Sequence, residues 1–129
     1  MGNIRRSLKV CDQLSQEIPH LSSLLVTSST LVDVLRRTAR FDFVKLPSVH
    51  RRTRNQYVAK YLLSPYRDVR RLREQLILAA FRRYSPHLVL VDKMPLGLGD
   101  ELLPSLTWLK SARPKPRPVV CLRDILDDA

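Results

Sequence analysis

Two charged pairs close apolar runs in this 129-residue chain: Asp92-Lys93 after residues 88–91, and Arg123-Asp124 after residues 119–122. A carboxylate beside a cation at the end of a strand can line a ligand cleft. The same pairs can equally order a turn or form a structural ion pair. Gly97 and Gly99 share the loop after Asp92-Lys93 with Pro95, as turn residues or as points where backbone approaches a ligand. His50, Arg51, Arg52 and Arg54 crowd a polar stretch. It reads as a loop, either solvated or touching an anionic membrane or a phosphate-bearing lipid. Cys11 and Cys121 lie inside apolar segments and read as buried free thiols, and His20, His50 and His87 are scattered. Neither set has the close spacing of a zinc site, so no metal site is expected.

Composition sets the frame for these residues. The chain is 44% hydrophobic, enough for a real core. Its length suits one domain, of about 100–150 residues. No apolar run approaches the ~18–20 residues that span a bilayer, and residues 1–6 lead into no signal-type apolar block. The chain therefore reads as soluble and cytoplasmic. A net charge of +11 favours an anionic partner without choosing among nucleic acid, anionic lipid and a phosphorylated ligand.

The elements that must position these residues alternate. Ile4, Leu8, Cys11, Leu14 and Ile18 recur at helical spacing, with Asn3 as N-cap and Pro19 as the stop. A buried strand follows over residues 24–27. Ser28-Ser29-Thr30 can cap a short helix with Leu31, Val34 and Leu35 inward and Arg36, Arg37 and Arg40 near its end. A second strand covers 43–46, residues 48–55 form a loop, and a short helix covers 56–63. Ser64-Pro65 starts a long helix reaching Tyr84, with a stripe of Val69, Leu72, Leu76, Ala79 and Ala80 and most of its arginines elsewhere. Residues 88–92 form the clearest strand. Asp100 can cap a last helix with Leu102, Leu103, Leu106 and Leu109 on its face and Trp108 as packing. Pro114, Pro116 and Pro118 then frame a stiff connector to a strand at 119–122. Strict alternation of helices and apolar strands implies an α/β fold with a parallel sheet.

Four segments together resemble a known family: Gly2-Asn3-Ile4-Arg5-Arg6-Ser7-Leu8, Leu46-Pro47, Leu90-Val91-Asp92-Lys93-Met94-Pro95-Leu96-Gly97, and Leu122-Arg123-Asp124-Ile125-Leu126-Asp127. They are similar to successive landmarks of GT-B-type glycosyltransferases. The branch is a set of bacterial enzymes related to the lipid-II-forming N-acetylglucosaminyltransferase and the diacylglycerol glycosyltransferases. The resemblance implies a Rossmann-like doubly wound parallel sheet forming the amino-terminal, acceptor-side domain over residues 1–129. It implies a hexosyl transfer from a nucleotide sugar, supplied only by a donor domain, to an acceptor that includes lipid-linked sugars. No cofactor is implied.

Ligands of such sheets lie beyond the carboxyl ends of the strands. The expected substrate-binding residues are therefore Ser28, Ser29, Asp92, Lys93, Gly97, Arg123 and Asp124, with Thr27 beside them. Gly2 and Asn3 would face an anion at a helix N-terminus. The family's first central strand and its Gly-His pair have no counterpart here, nor has the donor domain. The chain is thus expected to be a truncated form, inactive alone, with no assigned catalytic base. The alternatives are a small basic nucleic-acid-binding protein or a membrane-peripheral module. Aromatic residues make up 6%, too few for an obvious base-stacking platform, which disfavours nucleic acid.

Overall fold

The computed structural model describes residues 2–29, 40–54, 56–92, 100–112 and 117–121. The chain falls into two compact units, Met1–Tyr66 and Arg67–Ala129. Across the described residues the fold is mixed α/β, with parallel and antiparallel strand pairs.

The first unit opens with helix α1, Gly2–Glu17. Its apolar spacing turns Leu8 and Cys11 onto one face, and Leu8 packs with Phe41 over Cys11, Leu25 and Phe43 to form the core. Burying side chains such as Leu8 and Phe41 contributes about 1.5–3 kcal/mol each. The helix stops where expected: Pro19 follows its last turn, and His20 takes a left-handed φ of 63°. Arg40 donates from Nη2 to the Ser15 carbonyl at 2.8 Å, so a cation satisfies one of the carbonyls left open at the helix C-terminus. Arg40 had been expected at the end of a second helix. That helix, with Leu31, Val34, Leu35, Arg36 and Arg37, lies outside the described residues.

Strand β1, Ser23–Thr27, pairs in parallel with β2, Phe41–Lys45, in register Ser23↔Phe41 to Thr27↔Lys45. Both strands are where the apolar runs place them, with β2 beginning two residues earlier. All five β1 residues are half-buried rather than enclosed on both faces.

The stretch expected to be a loop followed by a short helix is an antiparallel hairpin, β3 (Val49–Thr53) with β4 (Gln56–Ala59). The physical reason is local. Val49, Thr53, Tyr57 and Val58 are strand formers, and the backbone bonds of 56–59 go to β3 instead of closing helical turns. The register shifts between Arg51 and Thr53, and Arg51 Nε donates to the Arg54 carbonyl at 3.2 Å, bracing the turn. Tyr57 stacks on Tyr66 with ring centroids 6.1 Å apart.

The second unit is built on α2, Tyr66–Tyr84. Its buried row is Val69, Arg73 and Ile77, at i, i+4 and i+8. This corrects the expected stripe: Leu72 and Ala79 are exposed, while Leu76 and Ala80 are half-buried. The helix ends at Ser85, whose N–H donates to the Phe81 carbonyl at 2.9 Å and whose φ is 51°. Strand β5, Leu88–Asp92, pairs in parallel with β6, Arg117–Cys121. Val89 is buried but Leu88 and Leu90 are exposed, unlike a strand enclosed on both faces. Pro118 belongs to β6, opposite Val89, rather than to a connector. A proline in a ladder is tolerated where its missing N–H has no partner to satisfy. Pro114 and Pro116 lie outside the described residues.

Helix α3 spans Leu103–Ser111, with Pro104 in its first turn. Asp100 does not cap it: the N-cap position is Leu102, without a side-chain cap, and Asp100 has a left-handed φ of 61°. Its buried residues are Ser105 and Leu109, whereas Leu103 is exposed and Leu106 half-buried.

Candidate functional site

Parallel pairing of β1 with β2 brings both carboxyl ends to one edge, and polar residues collect there. The Leu46 N–H donates to the Thr27 carbonyl at 2.8 Å, locking the ends together. The Ser29 N–H donates to Thr27 Oγ1 at 3.0 Å, which turns the chain after β1. Lys45 Nζ donates to the Leu46 carbonyl at 2.6 Å and to Ser48 Oγ at 3.0 Å. Ser48 Oγ in turn donates to the Ser28 carbonyl at 3.4 Å. A chain of polar groups therefore links Lys45, Ser48 and Ser28 across the two strand ends.

The chemistry of this cluster is recognition. An ammonium has three N–H donors, and these bonds use two of them. The third, with the half-buried hydroxyl of Ser48, can meet a hydroxyl or an anionic oxygen. These bonds join an ammonium, a hydroxyl and backbone carbonyls. Among the described residues, no three or more His, Cys, Asp and Glu side chains come together as metal ligands.

Of the residues expected at the site, the structure brings Ser28 and Ser29 to this edge, beside Thr27. Gly2 and Asn3 open α1. Asp92 ends β5, with Cys121 of β6 as its partner in register. Lys93, Gly97, Arg123 and Asp124 lie outside the described residues. Arg51, Arg52 and Arg54 belong to the β3–β4 hairpin and are exposed. No family model matches the chain, and neither the curated proteins nor the solved structures contain a match to it.

Lys45 and Ser48 were not singled out in the sequence. The available signal was positional: Lys45 closes β2 as Thr27 closes β1. A second polar feature is a groove of about 470 Å³ at the start of α2, lined by Arg67, Asp68, Arg70, Arg71 and Glu74. There Arg70 and Glu74 pair at 3.2 Å.

Among the described residues of the first unit, Cys11 departs from its ordinary pKa. Burial pushes its thiol above the ordinary value, a hydrogen bond with the Ser23 side chain opposes this, and the Asp12 charge adds to it. A raised value lowers the fraction of thiolate, the nucleophilic form. Among the described residues, no helix is long and apolar enough to cross a membrane.

Proposed function

We propose that this chain forms the acceptor side of a GT-B-type glycosyltransferase on a Rossmann-like doubly wound sheet, and that Thr27, Ser28, Lys45 and Ser48 hold the acceptor. The observation that carries this reading is the Lys45–Ser48–Ser28 chain at the shared carboxyl end of two parallel strands. Strand carboxyl ends are where doubly wound sheets take ligands. The sequence segments around Gly2, Leu46, Asp92 and Arg123 support the glycosyltransferase class through their resemblance. A sugar linked to a phosphate offers hydroxyls and negative charge, and the cluster offers a hydroxyl and a cation in return. Gly2, Asn3, Ser29, Asp92, Lys93, Gly97, Arg123 and Asp124 enter the same proposal through the resemblance alone. Transfer itself would draw its nucleotide sugar and its base from groups other than this cluster.

Backbone amide NMR tests the reading. The probe is a short-chain polyisoprenyl diphosphate carrying one N-acetylated amino sugar, with a uridine-diphosphate sugar as comparison. The lipid-linked sugar should shift the amides of residues 27–29, 45, 46 and 48, and the nucleotide sugar should leave them in place. Shifts from the nucleotide sugar alone, or none from the lipid-linked sugar, would reject it.

A further inference from the structure

Between Asp42 and Asp68 the chain has no acidic residue, yet it carries Lys45, Arg51, Arg52, Arg54, Lys60 and Arg67. Most of these cations sit on or beside the β3–β4 hairpin. His50, Arg51, Arg52, Thr53 and Arg54 are all exposed, and so is Lys60. The Lys60 N–H donates to the Ser48 carbonyl at 3.0 Å and closes the open end of the hairpin. Directly after that anchor come Tyr61, Leu62 and Leu63, exposed at 70%, 47% and 105%. Lys60 Nζ lies 5.3 Å from the centroid of the Tyr61 ring.

Three consecutive large apolar side chains in water, joined to a purely cationic hairpin, are costly to leave unpartnered. We propose that this segment docks the protein on an anionic bilayer surface, with Arg51, Arg52, Arg54 and Lys60 at the headgroups and Tyr61, Leu62 and Leu63 inserted among them. Tyrosine suits that depth because its ring is apolar and its hydroxyl stays wet. Long cationic side chains lie along the interface with their charges in the headgroup layer. The two leucines select the partner. A nucleic-acid backbone would take the arginines but leave Leu62 and Leu63 in water, whereas a bilayer covers both kinds of group. The proposal stands apart from the acceptor-site reading, which uses residues 27–29 and 45–48.

The test uses the full chain and vesicles of phosphatidylcholine with or without one-quarter phosphatidylglycerol. Co-sedimentation should show binding to the anionic vesicles, weakening as salt rises. The triple variant R51Q/R52Q/R54Q should bind about a hundredfold more weakly. The double variant L62S/L63S should lose about tenfold or more at unchanged charge. Both variants alter exposed side chains, and far-ultraviolet circular dichroism checks that they stay folded. Tyr61→Trp in a Trp108→Phe background gives a single-tryptophan readout: its emission should shift to the blue on anionic vesicles. An unshifted emission overturns the proposal, as does full binding by L62S/L63S. Tighter binding to duplex RNA or DNA, indifferent to the leucines, does so as well.

Discussion

Arg73 and Glu101 form a buried ion pair whose removal should be the most damaging single change in the second unit. Arg73 donates from Nε to Glu101 Oε2 at 2.6 Å and from Nη2 to Oε1 at 2.8 Å, with the two residues 3% and 5% exposed. Replacing Arg73 by Met keeps much of the packing volume but leaves the Glu101 carboxylate buried without its fork of donors. Breaking such a pair costs about 3–5 kcal/mol, against a total stability of about 5–15 kcal/mol for an ordinary domain. Glu101→Leu should also destabilise, because it takes the carboxylate away from a buried guanidinium. The double variant R73M/E101L should return to within about 1 kcal/mol of the parent, since well-packed apolar residues often replace a buried pair without loss. With two compact units, one unfolding transition is not assured, so the assay is native-state hydrogen exchange at the amides of α2 and α3. A cost under 1 kcal/mol for either single variant would refute the reasoning. So would a double variant as damaged as the two singles added together.

Three further outcomes follow from local geometry. Ser105 is fully buried on α3, and its hydroxyl has no hydrogen-bond partner among the described residues, so Ser105→Ala should raise stability by about 1 kcal/mol in native-state hydrogen exchange. Ser85 holds a left-handed φ just past α2, where Gly has no Cβ penalty, so Ser85→Gly should stabilise by roughly 0.5–1 kcal/mol in the same assay. Cys11 keeps its proton in the folded state at a pH where the unfolded thiol has lost it. Its contribution is therefore complete below the unfolded value and fades as pH rises from about 9 through the raised folded value. In a Cys121→Ser background, Ellman's reagent at pH 8 should label Cys11 more slowly in native than in denatured protein. Equal rates would contradict the half-buried placement.

Much of this architecture was legible in the residue pattern, and the exceptions share a cause. β1, β2 and β5 announce themselves as apolar runs, and α1 by the spacing of Leu8, Cys11 and Leu14. The β3–β4 hairpin does not, because His50, Arg51, Arg52 and Thr53 offer no apolar alternation. Its order comes from backbone pairing with 56–59, which a hydropathy pattern does not record. Most arginines of α2 were expected off its apolar stripe, and nothing in the pattern marks Arg73 as the exception. What lets it take the centre of the Val69–Ile77 row is Glu101, 28 residues away. The site was legible in half: Ser28 and Ser29 follow from the rule that ligands meet strand carboxyl ends. Lys45 and Ser48 join them only once the parallel register sets Thr27 against Lys45.

The central claim is that this strand-end cluster binds an acceptor, and Lys45 is the cation that its hydrogen bonds hold there. The most direct measurement is calorimetric titration of the parent chain and of Lys45→Met with the same lipid-linked amino sugar. A charge-assisted bond contributes about 1.5–3 kcal/mol, so the variant should bind at least about tenfold more weakly, with unchanged circular dichroism. Equal affinity for parent and variant would contradict the account.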